Sequence, residues 1–293
     1  MLALLVATTV ASLVYNVATR HRDRFRYRGP AVTVDGTRLA YERWGTHGSP
    51  IVLLGGFVEP TWVWHAAAPL LARDHRVFAV DLPPFGFSQR RGPYTLEHWT
   101  QLVRGFDVRL HLRRPVVVGH SLGAAVAVSV AGASSGIVLL DGDALPGGGP
   151  GWLSNLLLPP WSTTAYRIAT GSDWLFRRVL RNAWGNDPPS IGDATLDAWQ
   201  EPFRMPGTAA AFKAMLGHGI QGVSTRALRR VRVPRLVVWG ADDSVDSPSA
   251  GRATARAMHA RFVSIPRAGH LSMLAAPAAV ARAIDEFAAR ARS

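Results

Sequence analysis

The chain contains no cysteine. Disulfide frameworks, thiol nucleophiles, iron–sulfur centres and thiolate zinc sites are therefore excluded, while the redox compartment stays open, because such a chain tolerates reducing and oxidising surroundings alike. Lysine is almost missing too: Lys213 is the single one, and every other Lys/Arg cation is arginine. Acidic residues are few, 20 against 33 basic, so the formal net charge is +13. A basic excess of this size raises the question of nucleic acid. The arginines, however, are scattered along the whole chain, and no helix–turn–helix, zinc-finger or aromatic RNA-platform pattern occurs, so no nucleic-acid partner is predicted. Internal repeats and low-complexity linkers are also lacking. What remains, with 293 residues, 48% of them hydrophobic and 18% charged, is the composition of a folded chain with a large core.

The first 28 residues stand apart from the rest. Residues 2–18 form an uncharged run of 17, and Arg20, Arg22, Arg24, Arg26 and Arg28 follow at once. Such a run is at the short limit for a spanning helix, about 17–25 residues. Basic residues placed after the apolar run, not before it, argue against a cleaved signal peptide. The positive-inside rule keeps the arginines on the cytoplasmic side. The expectation is a transmembrane anchor over residues 2–18 with a membrane-associated, cytoplasmic body. A secreted protein with a signal peptide, and a helix docked on the main body, are the competing readings.

From Ala31 onward, strand signals alternate with helical stretches. Ala31–Val34 and Thr37–Trp44 flank Asp35-Gly36, a dipeptide that favours a tight hairpin. Short apolar runs follow at Ile51–Leu54, Val77–Val80, Val116–Val118, Ile137–Leu140, Leu236–Trp239 and Phe262–Ile265. Runs without polar alternation fit strands buried on both faces, as in a parallel sheet. Leu122–Ala133 and Ala278–Arg290 read as helices. The fold class is therefore α/β, a mostly parallel central sheet with helices on both faces. Between Gly142 and Arg230 the strand signals stop and tryptophan, proline and glycine become frequent. This predicts a core of residues 29–143 and 231–293 with an inserted helical cap over 144–230.

Sites in open α/β sheets gather at the carboxyl ends of strands. Gly119-His120-Ser121-Leu122-Gly123 lies there, between an apolar strand and a helix. A serine exposed on a sharp strand-to-helix turn has a strained backbone, and flanking glycines remove the clashes such a turn creates. Ser121 is thus the candidate nucleophile. The amide of Leu122, next along the chain, is positioned to stabilise a developing oxyanion, and the loop after Ile51–Leu54 offers a second donor at Phe57.

With Gly55-Gly56-Phe57, the Asp81–Ser88 segment, Gly119–Gly123, Gly240-Ala241-Asp242-Asp243 and Gly269-His270 in this order, the chain from about Ala31 to Ala291 resembles the α/β-hydrolase family. The resemblance implies His270 as general base and Asp243 as its orienting acid. Asp141 remains an alternative acid on the preceding strand end, as do Asp242 and Asp246 nearby. His120 is expected to point away from the serine, and Asp81 to pin a loop. The chain departs from the family where Gly55 replaces a loop-buttressing histidine. Glu59-Pro60-Thr61-Trp62 is similar to haloalkane dehalogenases and epoxide hydrolases, but those use an aspartate nucleophile and position 121 is serine, so both chemistries are set aside. Trp152, Leu153, Leu156–Leu158 and Trp161 supply an apolar stretch suited to walling an acyl pocket or to packing the cap. The expected protein is a serine hydrolase of a carboxylic ester, lipophilic in character, with a small-molecule substrate and neither metal nor organic cofactor. The alternatives are C–C bond, amide or lactone hydrolysis or perhydrolysis on the same triad, and a non-catalytic binding protein of the same fold.

Overall fold

The computed structural model describes residues 2–20, 24–147 and 160–291. Asp35 and Gly36 both take left-handed backbone angles (φ +46° and +73°), which is the twist a two-residue hairpin needs to join β1 (Ala31–Val34) to β2 (Thr37–Trp44). The remaining strands are β3 (Ser49–Leu54), β4 (His75–Val80), β5 (Val116–His120), β6 (Gly136–Leu140), β7 (Arg235–Gly240) and β8 (Arg261–Ile265). Among the described residues these eight strands form one sheet in the order β1-β2-β4-β3-β5-β6-β7-β8. Only the β1/β2 and β2/β4 pairs are antiparallel; the other five are parallel.

The apolar runs feed two cores, one on each face, with the two-residue period of a strand. Val52, Leu54, Val117, Ile137, Leu139, Val237 and Trp239 face one core. Ile51, Leu53, Val116, Val118, Val138, Leu140, Leu236 and Val238 face the other. The first core is closed by helices α3 (Leu96–Arg109), α4 (Gly123–Val130) and α10 (Pro248–Met258), through residues such as Trp99, Phe106, Val126 and Met258. The second is closed by α2 (Ala68–Leu71), α11 (Ser272–Ala275) and α12 (Pro277–Arg290), through Leu71, Met273, Ile284 and Phe287. Burial on both faces is why these strands read as continuous apolar runs. The helix predicted over Leu122–Ala133 ends its α form at Val130 and tightens into a 3-10 turn over Ala131–Ala133.

Between β6 and β7 lie α5 (Trp161–Thr170), α6 (Asp173–Trp184), α7 (Asp193–Gln200), α8 (Thr208–Gly217) and α9 (Thr225–Arg230). Ser172 caps α6 by accepting the Leu175 amide (3.3 Å), Phe176, Leu180 and Ala183 give it an inward stripe, and Gly185 ends it. The insertion is fastened to the sheet end by Arg90. Its guanidinium donates to the carbonyls of Ser88 (2.5 Å), Gly86 (2.7 Å) and Pro202 (2.6 Å), and its Nε to Thr208 Oγ1 (3.0 Å). Of the predicted apolar stretch, Trp161 opens α5, whereas Trp152, Leu153 and Leu156–Leu158 lie outside the described residues.

The amino-terminal run forms helix α1 (Leu2–Thr19). The spanning-anchor expectation finds no support: among the described residues no helix is long and apolar enough to cross a membrane. One side of α1 is occupied instead by α5. Asn16 Nδ2 donates to the Pro160 carbonyl (2.9 Å), and Arg167 donates to the Asn16 carbonyl and to Thr19 Oγ1 (3.1 Å). The docked-helix reading accounts for that face. Leu4, Leu5, Val6, Val10, Leu13, Val14 and Val17 are all more than half exposed on the remainder.

Candidate active site

The bend between β5 and α4 is sharp because Ser121 sits in the left-handed region, φ +49°. Two residues away on either side there is no room for a side chain. A Cβ at 119 would lie 2.2 Å from the Gly123 carbonyl oxygen, and one at 123 would lie 2.7 Å from that of Gly55. The bend is held by the Ser121 amide donating to Leu140 (3.0 Å) and the Ala124 amide donating to Ser121 (3.0 Å).

Two loops at the same edge of the sheet bring in an imidazole and a carboxylate. His270, after β8, places Nε2 3.1 Å from Ser121 Oγ. Its Nδ1 lies 2.9 Å from Asp243 Oδ2, on the loop after β7. The other oxygen of Asp243 accepts the amides of Val245 and Asp246, each at 2.9 Å. A carboxylate can only accept, so Nδ1 carries the imidazole hydrogen and Nε2 offers its lone pair to the serine. His270 and Asp243 are both buried. The histidine loop is pinned from the insertion: the Gly269 amide donates to Trp184 (2.8 Å) and the Leu271 amide to Ala183 (2.8 Å), at the end of α6.

The alternative acids stand elsewhere. Asp141 Oδ1 accepts the Gly240 amide (2.6 Å), and Oδ2 is bonded by the Ser272 hydroxyl. Burial pushes its carboxyl up to about 6, against the opposing pull of the nearby His120. Asp242 accepts from Asn186 (2.8 Å), and Asp246 lines the cavity described below. Asp81 joins two loops by accepting the amides of Thr61 (2.6 Å) and Phe87 (2.7 Å). Burial raises its carboxyl to about 7, although the two amides pull it down.

His120 is fully buried and turned away from the serine. Its Nδ1 meets Glu59 Oε2 (2.8 Å) and its Nε2 meets the His270 carbonyl oxygen (2.8 Å). Glu59 is the group that sequence reasoning missed. It stands on the loop after β3, which also holds Phe57, and it accepts the Gly56 amide (2.6 Å). The available signal was a carboxylate in an otherwise apolar loop just beyond a double glycine. Among the described residues the amides of Phe57 and Leu122 have no protein acceptor.

A cavity of about 430 Å³ opens beside Ser121 and His270. Phe57 and Leu122 line it from the sheet end, and Val179, Leu180, Trp199 and Ile220 from the insertion. Besides these apolar side chains and Ser121 and His270, the lining includes the polar residues Glu59, Asp143, Gln221 and Asp246. Among the described residues no three His, Asp or Glu side chains converge as a metal ion would require.

A relative from Bacillus subtilis (strain 168), the uncharacterized hydrolase YugF, is 26% identical over 267 residues, which cover 87% of this chain and 96% of the relative. A thermophilic esterase from Thermogutta terrifontis superposes with a TM-score of 0.74 at 26% identity, over 92% of this chain and all of that one. A bacterial membrane phospholipase A superposes over the whole of this chain and 97% of its own, with a TM-score of 0.72 at 22% identity, a likeness of fold alone. The sequence profile of the alpha/beta hydrolase family matches residues 47–283. By that match, by its mostly parallel eight-stranded sheet and by these relatives, the chain belongs to the alpha/beta hydrolase family and is a hydrolase.

Proposed function

We propose that the protein is a serine hydrolase that cleaves a carboxylic ester with a lipophilic acyl group. The observation that carries the reading is the unbroken relay Ser121–His270–Asp243, with contacts of 3.1 and 2.9 Å, opening onto an apolar cavity. In this reading residues 29–143 and 231–293 form the catalytic core and 144–230 the cap. Ser121 Oγ attacks the ester carbonyl carbon as its proton passes to His270 Nε2. The oxygen that gains the negative charge is held by the amides of Phe57 and Leu122, which are free to donate. His270 returns the proton to the leaving alcohol oxygen, the C–O bond breaks, and the acyl group stays on the serine. Water, deprotonated by His270, then attacks the acyl carbon; the bond to Ser121 Oγ breaks, His270 returns the proton to Oγ, and the acid leaves. Asp243 keeps the imidazole in the tautomer that both halves need.

The ester preference draws on the similar thermophilic esterase, and the lipophilic acyl group on the cavity wall. A fluorophosphonate probe should label the protein and fail to label Ser121→Ala. A panel of p-nitrophenyl esters from two to sixteen carbons should give the highest kcat/KM beyond the shortest members. Labelling without turnover of any ester, but with cleavage of a β-diketone or an amide, would move the reaction to another bond. A folded parent that takes no label would overturn Ser121 as the nucleophile. The exposed apolar face of α1 with Arg20, Arg24, Arg26 and Arg28 beside it suits attachment to the surface of an anionic membrane.

A further inference from the structure

The loop after β3 holds two constrained backbone positions. Val58, a β-branched residue, is held at φ +60°, a conformation such side chains rarely adopt. Gly56 lies so close to the bend that a Cβ there would meet Ser121 Cβ at 2.7 Å. In the reading above this loop presents the Phe57 amide to the oxyanion, so any slackness would be felt in the transition state more than in substrate binding. The histidine that buttresses this loop in the resembling family is replaced by Gly55.

We infer that Glu59 and a doubly protonated His120 form a buried ion pair that positions this loop against Ser121 and His270. The geometry carries it. Glu59 is a carboxylate whose Oε2 accepts the Gly56 amide (2.6 Å) and faces His120 Nδ1 (2.8 Å). On the other side of the ring, Nε2 faces the His270 carbonyl oxygen (2.8 Å), a group that can only accept. With acceptors at both nitrogens, both carry hydrogens and the imidazole is a cation. The groups facing that ring are Glu59, Asp141 with Oδ2 3.9 Å from Nε2, and the His270 ring 4.9 Å away between centroids. Burial on its own disfavours the charge, but Glu59, then Asp141 and the His270 carbonyl, outweigh it and raise His120 to about 9. One cation thereby ties the donor loop, the serine bend and the backbone of the histidine loop into a single unit. Glu59 and His120 are positioning residues: neither reaches the reacting atoms.

This inference rests on the serine-hydrolase reading for its kinetic consequence but not for the ion pair itself. In the parent protein, 15N-resolved NMR of the histidine side chains, with His120→Gln used for assignment, should show both ring nitrogens of His120 protonated from pH 6 to 8. A neutral His120 in that range overturns the inference even if the protein is an active esterase. Glu59→Gln should lower kcat about 10–100-fold with KM within about twofold, short of the 10²–10³ cost of deleting an oxyanion donor outright. It should slow fluorophosphonate labelling in parallel. Glu59→Asp, which keeps the charge, should recover part of the loss. Unchanged kcat in folded Glu59→Gln, or a rise in KM alone, also overturns it. If Glu59→Gln does not fold, the NMR result and Glu59→Asp decide the question. A parent that takes no label, with His120 found doubly protonated, retires the serine-hydrolase reading and leaves the ion pair standing.

Discussion

Asp243 and Asp141 are both buried, yet their surroundings differ. Asp243 spends one oxygen on two backbone amides and the other on His270, which orients the ring. Asp141 spends both on the Gly240 amide and the Ser272 hydroxyl, which ties the β7 end to α11. Asp243→Asn should therefore lower kcat on the order of 10³–10⁴-fold with little change in the melting temperature, because the amide no longer selects the useful tautomer. Asp141→Asn should do the reverse, lowering the melting temperature by several degrees while kcat stays within about tenfold. Steady-state kinetics and thermal denaturation of the two variants side by side check both halves. The family resemblance puts Asp243 first and keeps Asp141 as the alternative, but local sequence alone does not decide between two acids that both follow apolar strands. That choice depends on Ser272 and on loop amides that meet Asp141 and Asp243 only in the folded chain.

At the scale of elements, strands were easier to read than the connections over them. All eight strands carry local signals: β-branched runs, and Asp35-Gly36 at the hairpin. The helices between β6 and β7 announce themselves only as a stretch without strand signals, and nothing local foretells Arg90. Its partners are spread from Phe85 to Thr208, so the clamp exists only once the insertion has folded back. Burial lowers its guanidinium to about 10, with Tyr166 and Asp81 opposing, and carbonyl oxygens compensate the lost water. Hydrogen bonds from a charged donor contribute about 1.5–3 kcal/mol each, less the cost of desolvation. Arg90→Ala should destabilise the protein by about 2–4 kcal/mol and speed limited proteolysis within residues 160–230. Arg90→Lys, with one compact head in place of a fork, should recover only part of this, as denaturant titration with protease digestion would reveal.

For the molecule as a whole, the net charge of +13 and the bare side of α1 belong together. The apolar side chains of α1 face outward beside arginines at 20, 24, 26 and 28, all exposed. In the proposed reading this is a surface attachment, not a span, because α5 already occupies the polar side of the helix. The protein should float with vesicles of phosphatidylglycerol and phosphatidylcholine, and less as salt rises from 50 to 500 mM. Val10→Glu with Val14→Glu should abolish flotation while leaving turnover of a soluble ester within about twofold. Flotation that survives both the salt and the substitutions would rule out the α1 surface as the point of contact.

The end of α6 has a consequence for how substrate enters. Its last carbonyls hold the amides on either side of His270, so the helix that lines the cavity also steadies that histidine. A rigid swing of that helix would dismantle the relay with every opening, and a turnover cycle built on it would need to reassemble its own proton acceptor each time. In the proposed reading, a substrate path that keeps the relay intact passes a wall other than α6 and leaves residues 183 and 184 in place.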